Sequence, residues 1–136
     1  MIYLRTPDSK EFEEIISFIE KFELDNRDLR QHQFTAAFLE GNIVGFGRIR
    51  EHENCSEICS LGTLDKYRNR GICKMILQDL LKKAKQEIYL VCIIPDYFKS
   101  FGFEVVEEFP EVIQNKIDYC TCELVVPETY FAMKKI

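Results

Sequence analysis

The sequence predicts a mixed α/β domain, a mostly antiparallel central sheet flanked by helices. Three observations carry that prediction. Apolar residues switch between a strand-like pattern and a helical period along the chain. Two strand-like runs meet at Glu40-Gly41-Asn42, a good hairpin turn. The apolar run Ile88 to Ile94 follows a helical stripe, which is the order of a βαβ-like unit around a central strand buried on both faces.

The elements follow in chain order. Ile2 to Leu4 is a first short strand, ended by Pro7. Asp8 or Ser9 caps a helix whose Phe12, Ile15, Ile16, Ile19 and Phe22 recur at i, i+3, i+4 and i+7. Residues 25–33 are polar, a short second helix or a loop. Phe34 to Leu39 and Ile43 to Arg50 are the hairpin strands, and Cys55 to Leu64 is a third. Ile72, Met75, Ile76, Leu80 and Ala84 then form a helical stripe. Pro95 stops the apolar run. Residues 96–101 suit a short helix ended by Gly102, and Phe103 to Val106 is a strand. The tail from Cys122 to Ile136 is strand-like and interrupted by Pro127.

The 136 residues are expected to form a single domain, 1–136. Apolar residues make up 46% and charged residues 30%, which argues for a core and against a disordered chain. The net charge of -5 disfavours a nucleic-acid partner. No apolar leader opens the chain, and the longest apolar run is too short to span a bilayer, so a soluble, cytoplasmic protein without a membrane partner is expected. Six cysteines read as reduced thiols. Cys120-x-Cys122 lacks the partner cysteines or histidines of a zinc site, so no metal is expected.

Charge is not spread evenly. Residues 65–74 hold four of the 18 basic groups and one acid, a local +3 that leaves -8 for the remainder. There a strand ends, a basic turn follows, and a helix begins at Gly71. Amides at a helix start carry partial positive charge, and glycine keeps a side chain out of an anion's way. Lys66, Arg68, Arg70 and Lys74 add full charges, so the segment is a candidate phosphate cradle. It is neither a Walker A loop nor a dinucleotide fingerprint. The plainer reading is a solvated basic helix start.

Arg68-x-x-Gly71-x-Cys73 resembles the Q/R-x-x-G-x-G/A signature of the GNAT superfamily of acyl-CoA-dependent N-acetyltransferases. The order of elements around it is similar too, and Tyr97 to Phe103, ending Phe-Gly-Phe, resembles the family's motif B. The resemblance covers essentially the whole chain. It implies a GNAT-like fold and acetyl-CoA as co-substrate. It places the pyrophosphate on the amides of Arg68, Asn69, Arg70, Gly71, Ile72 and Cys73 with Lys74 close by, and the pantetheine arm along Leu61, Gly62 and Thr63. Cys73 stands where the family has Gly or Ala.

Acetyl transfer needs a neutral amine. Deprotonating an α-amine at pH 7 costs roughly 1 kcal/mol, and a lysine-like amine about 4–5 kcal/mol. Glu57 is the candidate general base. It lies in a mostly apolar strand, at the position where some family members carry a catalytic Glu, roughly 13 Å along the strand from Leu61. The alternative is an edge-strand Glu facing water. Many family members use a Tyr four residues before the motif B glycine to reprotonate the leaving thiolate. Phe98 holds that position here, and Tyr97 beside it points ~100° away on a helix. A water, Tyr119 or Tyr130 is left for that role.

The resemblance implies transfer of an acetyl group to the amine of a small molecule or amino acid. A loose likeness to acetylglutamate-synthase-like members at Phe109-Pro110, Lys116 and Cys120 favours an amino acid, although these equally read as a turn, a surface lysine and a core thiol. The alternative function is a catalytically weak acyl-CoA-binding regulatory or scaffold module. Family members are often dimers, which leaves a homodimer open.

Overall fold

The computed structural model describes residues 1–123 and 129–136, the side chain of Glu123 excepted. Its strands are β1 (Ile2–Arg5), β2 (Phe34–Leu39), β3 (Asn42–Glu51), β4 (Ser56–Thr63), β5 (Ile88–Cys92), β6 (Phe103–Val105) and β7 (Phe131–Lys135). Its α-helices are α1 (Ser9–Lys21), α2 (Ile72–Lys83), α3 (Pro95–Lys99) and α4 (Glu111–Glu123). The strands hydrogen-bond in the order β1-β2-β3-β4-β5-β7-β6. β4 and β5 pair in parallel, at Ser56↔Ile88 and Glu57↔Tyr89. Antiparallel pairing joins β1 to β2, β2 to β3, β5 to β7 and β6 to β7. No described helix is long and apolar enough to cross a membrane.

The chain divides into two compact units. The first comprises Met1–Ile49 and Ile58–Lys83. Its helix α1 starts because Asp8 accepts from the Glu11 amide at 2.8 Å while Glu11 accepts from the Asp8 amide at 2.9 Å. Ile15 and Ile19 then bury against Phe34 and Phe38 of β2 and Phe46 of β3. Helix α2 buries Ile72, Ile76, Leu77 and Leu80. Leu77 replaces the expected Met75 in that buried stripe, and the helix ends before Ala84. A Cβ at Gly45 would lie 2.9 Å from Ile72 Cγ2, and one at Gly47 would lie 3.0 Å from Ile76 Cγ2. These glycines let α2 lie close on the sheet.

The same unit holds a buried polar network. Arg48 of β3, fully buried, donates to Ser60 Oγ (3.0 Å), Gln33 Oε1 (3.1 Å) and the Arg27 carbonyl (3.0 Å). It lies 3.5 Å from the buried Asp25 carboxylate, which Arg27 also grips at 2.8 Å. The polar segment 25–33, with a short 3-10 turn at Gln31–Gln33, is fastened to the sheet this way.

The second unit comprises Arg50–Glu57 and Ala84–Ile136. Cys55, Tyr89, Ile113 and Ala132 form its core, with Phe109, Val112 and Ile117 packed against them. Three expectations are corrected here. The tail is not strand-like from Cys122: residues Glu111–Glu123 form α4, and the strand is confined to Phe131–Lys135. The break expected at Pro127 lies outside the described residues. The apolar run outlasts its strand, since β5 ends at Cys92 and leaves Ile93 42% and Ile94 54% exposed. Lys116 is not a surface lysine: it is 5% exposed, on the buried stripe of α4 with Ile113 and Cys120.

Candidate active site

The basic turn belongs to the first unit. Leu64 at the end of β4 donates its amide to Val44 (3.0 Å), and a 3-10 turn follows at Asp65–Tyr67. Asn69 and Gly71 have φ of +64° and +77°. Positive φ favours glycine, and together these residues turn the chain sharply into α2. The first intrahelical bond runs from the Met75 amide to the Gly71 carbonyl at 3.1 Å. The amides of Ile72, Cys73 and Lys74 therefore stand at the helix start, where the peptide dipoles favour an anion.

Side chains around this turn have separate roles. Arg68, Asn69, Arg70, Gly71 and Lys74 are exposed, while Leu61, Gly62 and Thr63 are half-buried. The Ile72 side chain is buried, so only its backbone can face a ligand. Arg68 turns back, 3.0 Å from Asp65 and donating to the Thr63 carbonyl at 3.3 Å. Lys66 and Arg70 lie over the Tyr67 ring at 5.9 and 5.5 Å. No protein atom other than chain neighbours comes within 4 Å of where a Gly71 Cβ would be. The space over the turn suits a phosphate, and the set of amides and basic side chains fits the pyrophosphate of CoA.

Glu57 belongs to the second unit. It is fully buried on β4, which has β3 and β5 as neighbours, so the edge-strand reading is overturned. Its Oε1 lies 2.8 Å from His52 Nε2. Its Oε2 lies 3.9 Å from Lys116 Nζ and has no hydrogen-bond partner. A buried carboxylate oxygen without a donor is costly, and such an atom is suited to accept a proton from a ligand.

The sequence reading missed His52 and took Lys116 for a surface residue. The turn between β3 and β4 brings His52 and Glu57 together from either side of Glu53-Asn54-Cys55. That turn is held by the His52 amide donating to the Cys55 carbonyl (2.8 Å) and by the Gln86 side chain donating to the His52 carbonyl (2.7 Å). Two strands about a short loop were the available signal, since residues flanking a turn face each other across it. Nothing local announces Lys116, which only the packing of α4 brings to Glu57.

On α3, Phe98 is buried and Tyr97 is exposed, the divergence expected of helix neighbours. Pro95 takes the first position of that helix, which suits its missing amide.

Sheet order, basic helix start and buried acid define a class: an α/β protein with an anion cradle after one end of β4 and a buried carboxylate at the other. The chain belongs to the acetyltransferase (GNAT) family, whose sequence model matches residues 2–103. It is 26% identical over 94 residues to an uncharacterised N-acetyltransferase of Chlorobaculum tepidum, a match covering 64% of this chain and 61% of that protein. Rv2747 of Mycobacterium tuberculosis, solved with CoA, has a TM-score of 0.80 at 16% identity, covering 98% of each chain. N-acetylglutamate synthase of Neisseria gonorrhoeae, solved with CoA and N-acetyl-glutamate, has a TM-score of 0.76 at 16% identity. That match covers 99% of this chain and 35% of the synthase. The solved structures share the fold.

Proposed function

We propose that residues 1–136 act as one acetyltransferase domain that moves an acetyl group from acetyl-CoA directly to the amine of a small molecule or amino acid. Acetyl-CoA supplies the activated thioester. The amides from Arg68 to Cys73, with Lys74, hold its pyrophosphate, and the backbone of Leu61, Gly62 and Thr63 pairs with the pantetheine arm. Glu57 takes the first proton from the acceptor ammonium at Oε2. The freed nitrogen lone pair attacks the acetyl carbon, forming the N–C bond as the C–S bond breaks. The second amine proton leaves with the CoA thiol.

One observation carries the reading: Glu57 is buried, with one oxygen on His52 and the other without a hydrogen-bond donor. That arrangement holds a base ready for an incoming N–H. The likeness to a synthase captured with N-acetyl-glutamate supports an amino-acid acceptor. The acidic charge outside the basic turn supports a cationic amine in general.

The test incubates the protein with acetyl-CoA and a panel of the twenty amino acids and short aliphatic amines, with products followed by mass spectrometry. An acetylated product, lost about 100-fold or more in Glu57→Gln with CoA affinity kept, is the expected result. Full turnover in Glu57→Gln would sink the base assignment. The burial of Phe98 at the position the family gives to Tyr favours a second reading, a weakly catalytic acyl-CoA-binding module. It predicts thermal stabilisation by CoA with no product.

A further inference from the structure

A buried general base must dispose of each proton it takes. Glu57 is fully buried, and its Oε2 has no donor. Its Oε1 is bonded at 2.8 Å to His52 Nε2. The His52 side chain keeps 15% of its surface in solvent against 1% for Glu57. The ring is also held by its backbone, whose amide bonds the Cys55 carbonyl (2.8 Å) and whose carbonyl accepts from Gln86 (2.7 Å). Lys116, 3.9 Å from Oε2, is a cation on the other side of the carboxylate and 7% exposed, so it is a poorer route to water.

We propose that His52 is the proton exit of Glu57, a relay and positioning residue that links the buried carboxylate to solvent. The inference rests on Glu57 being the base. The acceptor ammonium gives a proton to the Glu57 carboxylate, breaking N–H and forming O–H. The resulting carboxylic acid passes that proton to the unprotonated Nε2 of His52. The imidazolium then releases its Nδ1 proton to water, and exchange with water restores the starting tautomer. No net charge stays buried after the cycle, and Glu57 is a carboxylate again. The hydrogen bond to Oε1 has a second effect, because it leaves Oε2 as the oxygen offered to the amine.

The experiment compares His52→Gln, His52→Ala and Glu57→Gln with the parent in single-turnover acetylation of the amine found in the panel above. Glutamine retains an N–H that can bond Oε1 but carries no proton onward. His52→Gln should therefore lose about 100-fold in the chemical step, the low end of positioned proton transfer, with both KM values within about twofold of the parent. His52→Ala should be rescued by imidazole and its methylated derivatives, with a rate that scales with their pKa. A parent-like rate in His52→Gln overturns the relay, as does rescue indifferent to imidazole pKa, which is cavity filling. If Glu57→Gln is inactive while His52→Gln is parent-like, the base reading stands and the relay alone fails. If Glu57→Gln retains full activity, or no amine in the panel is acetylated, both fall. One readout needs no turnover. In the free protein, the His52 ring nitrogen resonances should move in Glu57→Gln while those of the exposed His32 stay put. An unmoved His52 ring overturns the contact itself.

Discussion

Replacing Gly71 by alanine separates the folding role of the basic turn from its binding role. No protein atom other than chain neighbours lies within 4 Å of the added methyl, so it meets no steric obstacle within the protein. Its cost in the free protein comes from φ at +77°, where an L-residue loses about 1–2 kcal/mol. For a domain of this size that lowers Tm by roughly 4–8 °C. The strain is the same with or without ligand, so it cancels from an affinity. What does not cancel is the methyl standing where a phosphate approaches the amides. Losing one charge-assisted hydrogen bond there costs about 1.5–3 kcal/mol, a tenfold to roughly 150-fold rise in Kd for CoA. Calorimetric titration with CoA reads the affinity, and thermal denaturation reads the stability. Gly71→Asn is the control, because asparagine tolerates positive φ and should recover much of the stability but none of the affinity. A CoA Kd unchanged in Gly71→Ala would refute the cradle, whatever happens to Tm.

Other expectations concern the scaffold. Arg48→Met leaves Asp25 buried with Arg27 as its remaining printed guanidinium partner and strips donors from Ser60 and Gln33, so it should cost about 3 kcal/mol in urea unfolding. A loss under about 1 kcal/mol would show that the network is dispensable. Asp8→Ala removes the cap of α1 and should cost about 1 kcal/mol, read by the same method. The Arg5 guanidinium and then the Asp8 amide hold the Glu11 carboxyl down at about 2 from its ordinary 4.5. A depressed carboxylate contributes stability above the unfolded value and loses it as pH falls from about 4.5 through about 2. Glu11→Gln should therefore flatten thermal stability across that window, and an unaltered slope would contradict the pairing. Burial, then the charges of Glu57 and Glu51, pushes the Cys55 thiol up to about 11. At pH 8 only about one Cys55 in a thousand is thiolate, so iodoacetamide should label the exposed Cys122 well before it, as peptide mapping would show.

Much of the fold was legible because its signals are local. The helical stripe of α1, the hairpin at Glu40-Gly41 and the stripe of α2 each declare themselves within about a dozen residues. Helix α4 did not. Its buried stripe runs Ile113, Lys116, Cys120, and a charged residue in the middle breaks the apolar period that would reveal it. Val112, Ile113, Ile117 and Thr121 are β-branched as well, which reads as strand. Ile93 and Ile94 misled in the opposite direction, since an apolar run looks buried whether or not the strand continues beneath it.

The sequence by itself determined the fold class, the glycine turn with its basic side chains, and a strand carrying an acid. Those depend on period, turn chemistry and charge over short stretches. Only the tertiary structure decided that Glu57 is buried beneath neighbouring strands on both sides, and that His52 and Lys116 meet it. His52 comes from five residues before Glu57, across a turn, and Lys116 from a helix nearly sixty residues later. The reason is physical: burial and partner choice are set by which distant segments pack together, and no local pattern records that.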